Sequence, residues 1–213
     1  MANFISEAFY GVVDKERFFD GISNAINSLQ TDGVFVGDNL FTWGRNLSFL
    51  QDEKFATAID SNKPSAQELS LVWRLHTLCW AARQCSRLPG DFVEAGVYMG
   101  FTVKVICDYL GFNSLNRDYY LYDVFYHSPD MPHHALSEHG EGLYEKVCKR
   151  FETYPRVKVI QGLIPESFEK GVPEKISFMH IDMNNADAEV AVLDALYDRL
   201  VSGGMIIFDD FGW

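Results

Sequence analysis

The 213-residue sequence predicts an α/β protein, a parallel sheet flanked by helices behind an N-terminal helical extension. Three observations predict it. From residue 91 onward, short apolar runs alternate with longer amphipathic ones in a βαβαβ rhythm. The apolar runs are continuous, as in strands covered on both faces. The first of them, Asp91-Phe-Val-Glu-Ala95, passes directly into a glycine turn, Gly96-Val-Tyr-Met-Gly100, that opens a helix. Glycines there let backbone approach a ligand at the carboxyl end of a strand, where open α/β sheets bind nucleotides.

Residues 1–63 are irregular and rich in Phe and Asn, with short helices expected around 15–29 and 47–59. The segment 37–44 mixes turn formers with large aromatics and reads as a packed loop. Ser65-Ala-Gln-Glu68 is a capping box: the serine accepts from an early helix N–H and the glutamate reaches back. It opens a helix to about residue 86, with Leu88-Pro-Gly90 as its stop. Then follow strand 91–95, helix 101–110 and strand 119–125. A polar stretch rich in His and Pro, 126–142, is the expected lid or substrate loop, and helix 143–153 comes after it. Strand 157–161, a short helix at 166–170, strand 176–182, helix 186–200, Ser202-Gly-Gly204 and strand 205–209 complete the pattern. The expected domains are 1–64, the extension, and 65–213, the α/β domain.

The net charge of −12 argues against nucleic acid, whose binders need a basic footprint. Cys79, Cys85, Cys107 and Cys148 are scattered without a C-x-x-C pair, which suits core thiols in a reducing compartment. No run approaches a membrane span and no cationic stretch leads into an apolar one near the N-terminus, so a cytoplasmic location is expected.

The strands end in polar groups: Glu94, Asp123, Gln161-Gly162, Asp182 and Asp209-Asp210. Parallel strands place their carboxyl ends on one edge, so these side chains are expected to converge. A single acid there is ordinarily a cap; five such ends together read as a site. Asp123 suits the two hydroxyls of a ribose, and Glu94 an ammonium or sulfonium. The spacing Gly96-x-x-x-Gly100 is not G-x-G-x-x-G, and Asp123 lies beyond the usual ribose acid of a dehydrogenase, which counts against a nicotinamide cofactor. Asp182, Asp209 and Asp210 are oxygen donors fit for a hard divalent cation. Asp187 reads as a first-turn helix acid. Four histidines, His127, His133, His134 and His139, lie in the 126–142 loop, and one of them could serve as a general base. His76 and His180 read as packed side chains.

Together, Phe92-Val-Glu-Ala-Gly-Val-Tyr-Met-Gly100, Met179-His-Ile-Asp182 and the helix 193–200 running into Ser202-Gly-Gly-Met-Ile-Ile-Phe-Asp-Asp210 resemble the macrocin O-methyltransferase (TylF-like) family of class I S-adenosylmethionine-dependent methyltransferases. The resemblance covers about residues 65–213. It implies a Rossmann-like sheet and a cofactor site at Glu94, Gly96, Tyr98, Gly100, Thr102, Asp123 and Asp182, with Gln161 and Gly162 near the adenine. It also implies a magnesium site at Asp182, Asp209 and Asp210, and methyl transfer to a hydroxyl of a sugar or secondary metabolite. His139, His133 and Asp182 are the catalytic candidates, and a homodimer is the expected assembly. Two departures stand out. The family's Asp-x-Asp and following aromatic are here Asp182-Met-Asn184 and Ala186, and the antiparallel hairpin that normally closes the sheet is missing before Trp213. The alternatives are an inactive S-adenosylmethionine-binding protein and a nucleotide- or NAD-dependent Rossmann enzyme.

Overall fold

The computed structural model describes residues 3–30, 32–131 and 135–209. The chain forms two compact units, Met1–His76 and Thr77–Trp213.

In the first unit, β1 (Phe4–Ile5) is followed by helix α1 (Lys15–Asn27), β2 (Phe35–Gly37) and β3 (Leu40–Thr42). β2 pairs parallel with β1 and antiparallel with β3. The packed loop expected over 37–44 is thus a hairpin. Its two turn residues, Asp38 and Asn39, both hold positive φ, 50° and 55°. That is the backbone of a type I′ turn, whose twist matches the strands and which Asp and Asn tolerate. Arg74 grips the turn with two parallel bonds, Nε to Asp38 Oδ2 at 3.0 Å and Nη2 to Oδ1 at 2.8 Å. Helix α2 (Glu53–Asp60) starts at Asp52, whose carboxylate accepts from Lys54 N and Phe55 N. The capping box at Ser65 and Glu68 forms in both directions, but the helix it opens is interrupted. α3 (Ala66–Ser70) ends where buried Ser70 donates its hydroxyl to Gln67 O at 2.6 Å. Such a back-bond competes with the helical ladder. Leu71 steps out of helical geometry, and α4 (Val72–Cys85) resumes.

The second unit contains β4 (Asp91–Ala95), α5 (Phe101–Leu110), β5 (Tyr119–Asp123), α6 (Leu143–Arg150), β6 (Val157–Gln161), β7 (Ile176–Ile181), α7 (Ala186–Leu196) and β8 (Leu200–Phe208). The five strands form one sheet in the order β6-β5-β4-β7-β8, every pair parallel. Alternation along the central strands builds two cores. Val93, Ala95, Tyr120, Tyr122, Met179 and Ile181 cluster with Val192 and Leu196 of α7. The intervening residues face the other way, where the Phe92 ring meets those of Phe178, Tyr119 and Phe112.

The expected elements recur with trimmed ends. β5 stops at Asp123, residues 166–170 form a 3-10 helix, and α7 gives way to a 3-10 turn at Tyr197–Arg199. β8 begins earlier than expected, at Leu200, but its register jumps from Leu200 opposite Ile176 to Met205 opposite Phe178. Ser202-Gly-Gly204 therefore breaks the pairing without ending the strand. At the amino ends of the strands, the Arg117 guanidinium donates to the carbonyls of Ser86, Leu88 and Gly90 and to Ser177 Oγ. Among the described residues β8 pairs with β7 alone, and no helix is long and apolar enough to cross a membrane.

Candidate functional site

Strand register decides which polar ends meet. Ala95 lies opposite both Tyr122 and Ile181, Ile181 opposite Phe208, and Asp123 opposite Gln161. The next residue of each strand therefore falls in a single row: Gln161, Asp123, Gly96, Asp182, Asp209. Backbone bonds tie the row together, from Gly96 N to Tyr122 O, Asp182 N to Ala95 O and Asp209 N to Ile181 O, at 2.8–3.0 Å.

Gly96 is where the row is tightest. Its φ is +88°, and a Cβ there would lie 1.7 Å from the Asp182 carbonyl oxygen, so only glycine fits. Gly100, at φ +71°, starts α5 against the ring of Phe151. Between them Tyr98 holds φ 48°, a left-handed conformation that costs a side-chain-bearing residue about 1–3 kcal/mol. Asp123 keeps it there. One oxygen, Oδ2, accepts from Val97 N and Tyr98 N, both at 2.7 Å, and Oδ1 accepts from Phe125 N at 2.6 Å. A carboxylate has about four acceptor positions. Three backbone donors leave Asp123 room for one further hydroxyl rather than the pair expected. Beside it, Gly162 N donates to the Asp123 carbonyl at 3.0 Å and the Gln161 side chain to Val124 O at 3.2 Å. Thr102 lies half-buried in the first turn of α5.

The 126–142 loop reaches this turn. The Tyr98 hydroxyl accepts from Glu138 N at 3.0 Å and meets Ser137 Oγ at 3.2 Å, while its ring meets that of His139 edge-on. His139 Nδ1 accepts from Leu136 N at 3.2 Å, so the lone pair a base would use is engaged. His133 lies outside the described residues.

Glu94 departs from expectation. It stands two rows below the edge, opposite Leu121 and His180, and is 2% exposed. Its Oε2 accepts from the Tyr119 hydroxyl at 2.9 Å, and Oε1 lies 3.2 Å from His180 Nδ1. The carboxylate thus lies within the sheet, held by side chains of the neighbouring strands β5 and β7. Burial, and then Glu94, hold the Tyr119 hydroxyl well above the ordinary phenol range. Burial pulls the His180 imidazole down, but Glu94, then Asp182 and Asp209, outweigh it and the ring is pushed up to about 9.

His180 is buried, as expected of a packed side chain, yet it belongs to the site. One of its ring nitrogens and carboxylate oxygens of Asp182 and Asp209 all lie within 4.8 Å of one another. The sequence signal is its place two residues before Asp182, hence on the same strand face. Asp210, the third expected ligand, lies outside the described residues. Asn184 holds φ 52°, Asn185 caps α7 by accepting from Ala188 N, and Asp187 sits in that helix's first turn. The first unit, separately, holds an open apolar cavity of about 870 Å³ lined by Phe9, Tyr10, Phe18 and Phe41.

The family described as macrocin O-methyltransferase (TylF) matches residues 64–213. No curated protein matches the chain in sequence. Among solved structures, the O-methyltransferase NovP is similar with a TM-score of 0.55 at 20% identity, over 66% of this chain and 65% of that one. The calicheamicin methyltransferase CalS11 is similar with a TM-score of 0.50 at 18% identity, over 79% and 83%. Apo CalS11, a TDP-rhamnose 3'-O-methyltransferase, gives 0.52 at 15% identity over 96% and 81%. The chain spans just under two thirds of the NovP chain. At these identities the structural likeness speaks for the fold.

Proposed function

The chain belongs to the macrocin O-methyltransferase (TylF) family, and from that premise we propose that it transfers a methyl group from S-adenosylmethionine to a hydroxyl of a small molecule, a sugar or secondary metabolite. The row of strand ends around Gly96 carries this reading. Asp123 clamps the glycine turn and keeps one acceptor position for a ribose hydroxyl. Gln161, Gly96 and Asp182 stand in the same row, Gly162 follows it, Tyr98, Gly100 and Thr102 belong to the turn and the helix it opens, and with Glu94 beneath the row they form the proposed cofactor site. When bound, the cofactor would supply a sulfonium methyl whose carbon the acceptor oxygen attacks, the C–O bond forming as the C–S bond breaks and the thioether leaves.

Asp182, Asp209 and Asp210 are proposed to hold a magnesium-type cation. Such an ion supplies Lewis acidity that lowers a hydroxyl's pKa and fixes its position. The donors suit it: oxygens of Asp182 and Asp209, on adjacent strand ends, lie within 4.8 Å of each other and of a ring nitrogen of buried His180. The acceptor's proton then passes to Asp182, to His133, or to His139 at Nδ1 once the Leu136 amide lets go. We place the methyl-transfer domain at 65–213 and the extension at 1–64. A homodimer in the cytoplasm is part of the same proposal; that none of the four cysteines forms a disulfide supports the compartment.

The test is calorimetric titration with S-adenosylmethionine and with NAD, followed by methylation of hydroxylated acceptors with and without Mg²⁺. Binding of the methyl donor alone, and turnover that Mg²⁺ enhances, are expected. Tight NAD binding without methyl-donor binding would overturn the reading. Asn184, where the family carries a second acid, favours one alternative, a methyl-donor-binding protein without activity. Cofactor binding with no acceptor methylated would select it.

A further inference from the structure

A buried polar side chain without a partner costs free energy, so each such group in a folded protein asks for a ligand. His180 is one at Nε2. The ring is 1% exposed, and among the described residues neither nitrogen makes a hydrogen bond. Nδ1 is ion-paired with Glu94 Oε1 at 3.2 Å, which leaves Nε2 to account for. Glu94 is itself held on its other oxygen by the Tyr119 hydroxyl. A nitrogen of the same ring stands with oxygens of Asp182 and Asp209, the three atoms at most 4.8 Å apart. Donors bound about 2.1 Å from one cation lie roughly 3–4.2 Å apart, so less than an ångström of closure completes a coordination sphere.

We infer that His180 is a nitrogen ligand of a divalent transition-metal site shared with Asp182 and Asp209, and that Glu94 is the carboxylate that orients its ring. A ligating histidine ordinarily gives its second nitrogen to a carboxylate, which fixes the tautomer and makes the coordinating nitrogen more basic. Glu94 occupies that position, with Nε2 left to coordinate. Buried behind the half-exposed aspartates, the imidazole closes the inner side of the site. The consequence is a choice of metal. Oxygen donors alone suit Mg²⁺, whereas an imidazole among them favours Mn²⁺, Co²⁺ or Zn²⁺. The inference rests on the proposed function only in placing the acceptor at these aspartates.

Mn²⁺ bound to the full chain, unlabelled and uniformly ¹⁵N-labelled, examined by electron spin-echo envelope modulation, tests it. Modulation from a coordinated ¹⁴N, replaced by the ¹⁵N pattern on labelling, is expected. So are a higher affinity for Mn²⁺ than for Mg²⁺ and a loss of Mn²⁺ affinity of about 10- to 100-fold in Glu94→Gln. Bound Mn²⁺ without nitrogen modulation overturns the inference, as does failure to bind Mn²⁺; neither depends on a variant that folds. S-adenosylmethionine titrated into the same samples separates the two proposals. Cofactor binding without nitrogen coupling removes His180 from the metal and leaves the methyl-donor reading; nitrogen coupling without cofactor binding does the reverse.

Discussion

Asp123 holds the glycine turn through three backbone donors on one carboxylate. Hydrogen bonds to a charged group contribute about 1.5–3 kcal/mol each, and not additively. Asp123→Ala should therefore lower stability by about 2–4 kcal/mol in urea titration and abolish S-adenosylmethionine binding; unchanged stability would show that the turn holds itself. Gly96→Ala has no room, with its Cβ 1.7 Å from the Asp182 carbonyl. A loss of about 4 kcal/mol or more, or failure to fold, is expected, and a stable variant would contradict the close approach. Both residues were legible in the sequence from their places beside the first two strands. Arg117 was not. Its partners are the carbonyls of Ser86, Leu88 and Gly90, and backbone carbonyls carry no sequence signature. Arg117→Lys keeps the charge but loses the planar fork. It should cost about 2–3 kcal/mol by the same measurement.

Among the elements, helices and strands with a long apolar period were the legible ones. α5 begins and ends where the sequence places it, because Gly100 and Gly111 bracket an apolar run and both take left-handed geometry. The hairpin at Asp38-Asn39 is not legible, because its strands have only three residues each, too short for a period to show. Nor is the break at Leu71, because a capping box marks where a helix starts and says nothing of its length. The 126–142 loop was legible as a loop but not by its destination. Its tie to the glycine turn is the Tyr98 hydroxyl, which Glu138 N and Ser137 meet. Tyr98→Phe removes that acceptor. Amide exchange at Glu138 should quicken, while global stability falls by no more than about 1.5 kcal/mol. Unchanged exchange there would mean that the loop is held elsewhere.

In the second unit as a whole, the sheet brings Gln161, Asp123, Gly96, Asp182 and Asp209 level across five strands. A ligand that binds only the folded sheet raises its stability by about 2.7 kcal/mol at a hundred times its dissociation constant. Saturating S-adenosylmethionine should accordingly raise the melting temperature, and NAD should not; the reverse ranking would discard the methyl-donor assignment. By itself the sequence determined the type and order of the α/β elements and the turn at their first crossover, because periodicity, caps and glycines act over a few residues. It also placed acids at the strand ends. Only the tertiary structure decided which of those acids face a ligand. Glu94 and Asp123 look alike along the chain, yet register sets Asp123 level with Gly96 and Glu94 two rows deeper, against His180 and Tyr119. Register is fixed by pairing between strands far apart in sequence, so the fate of each carboxylate is written in its neighbours across the sheet.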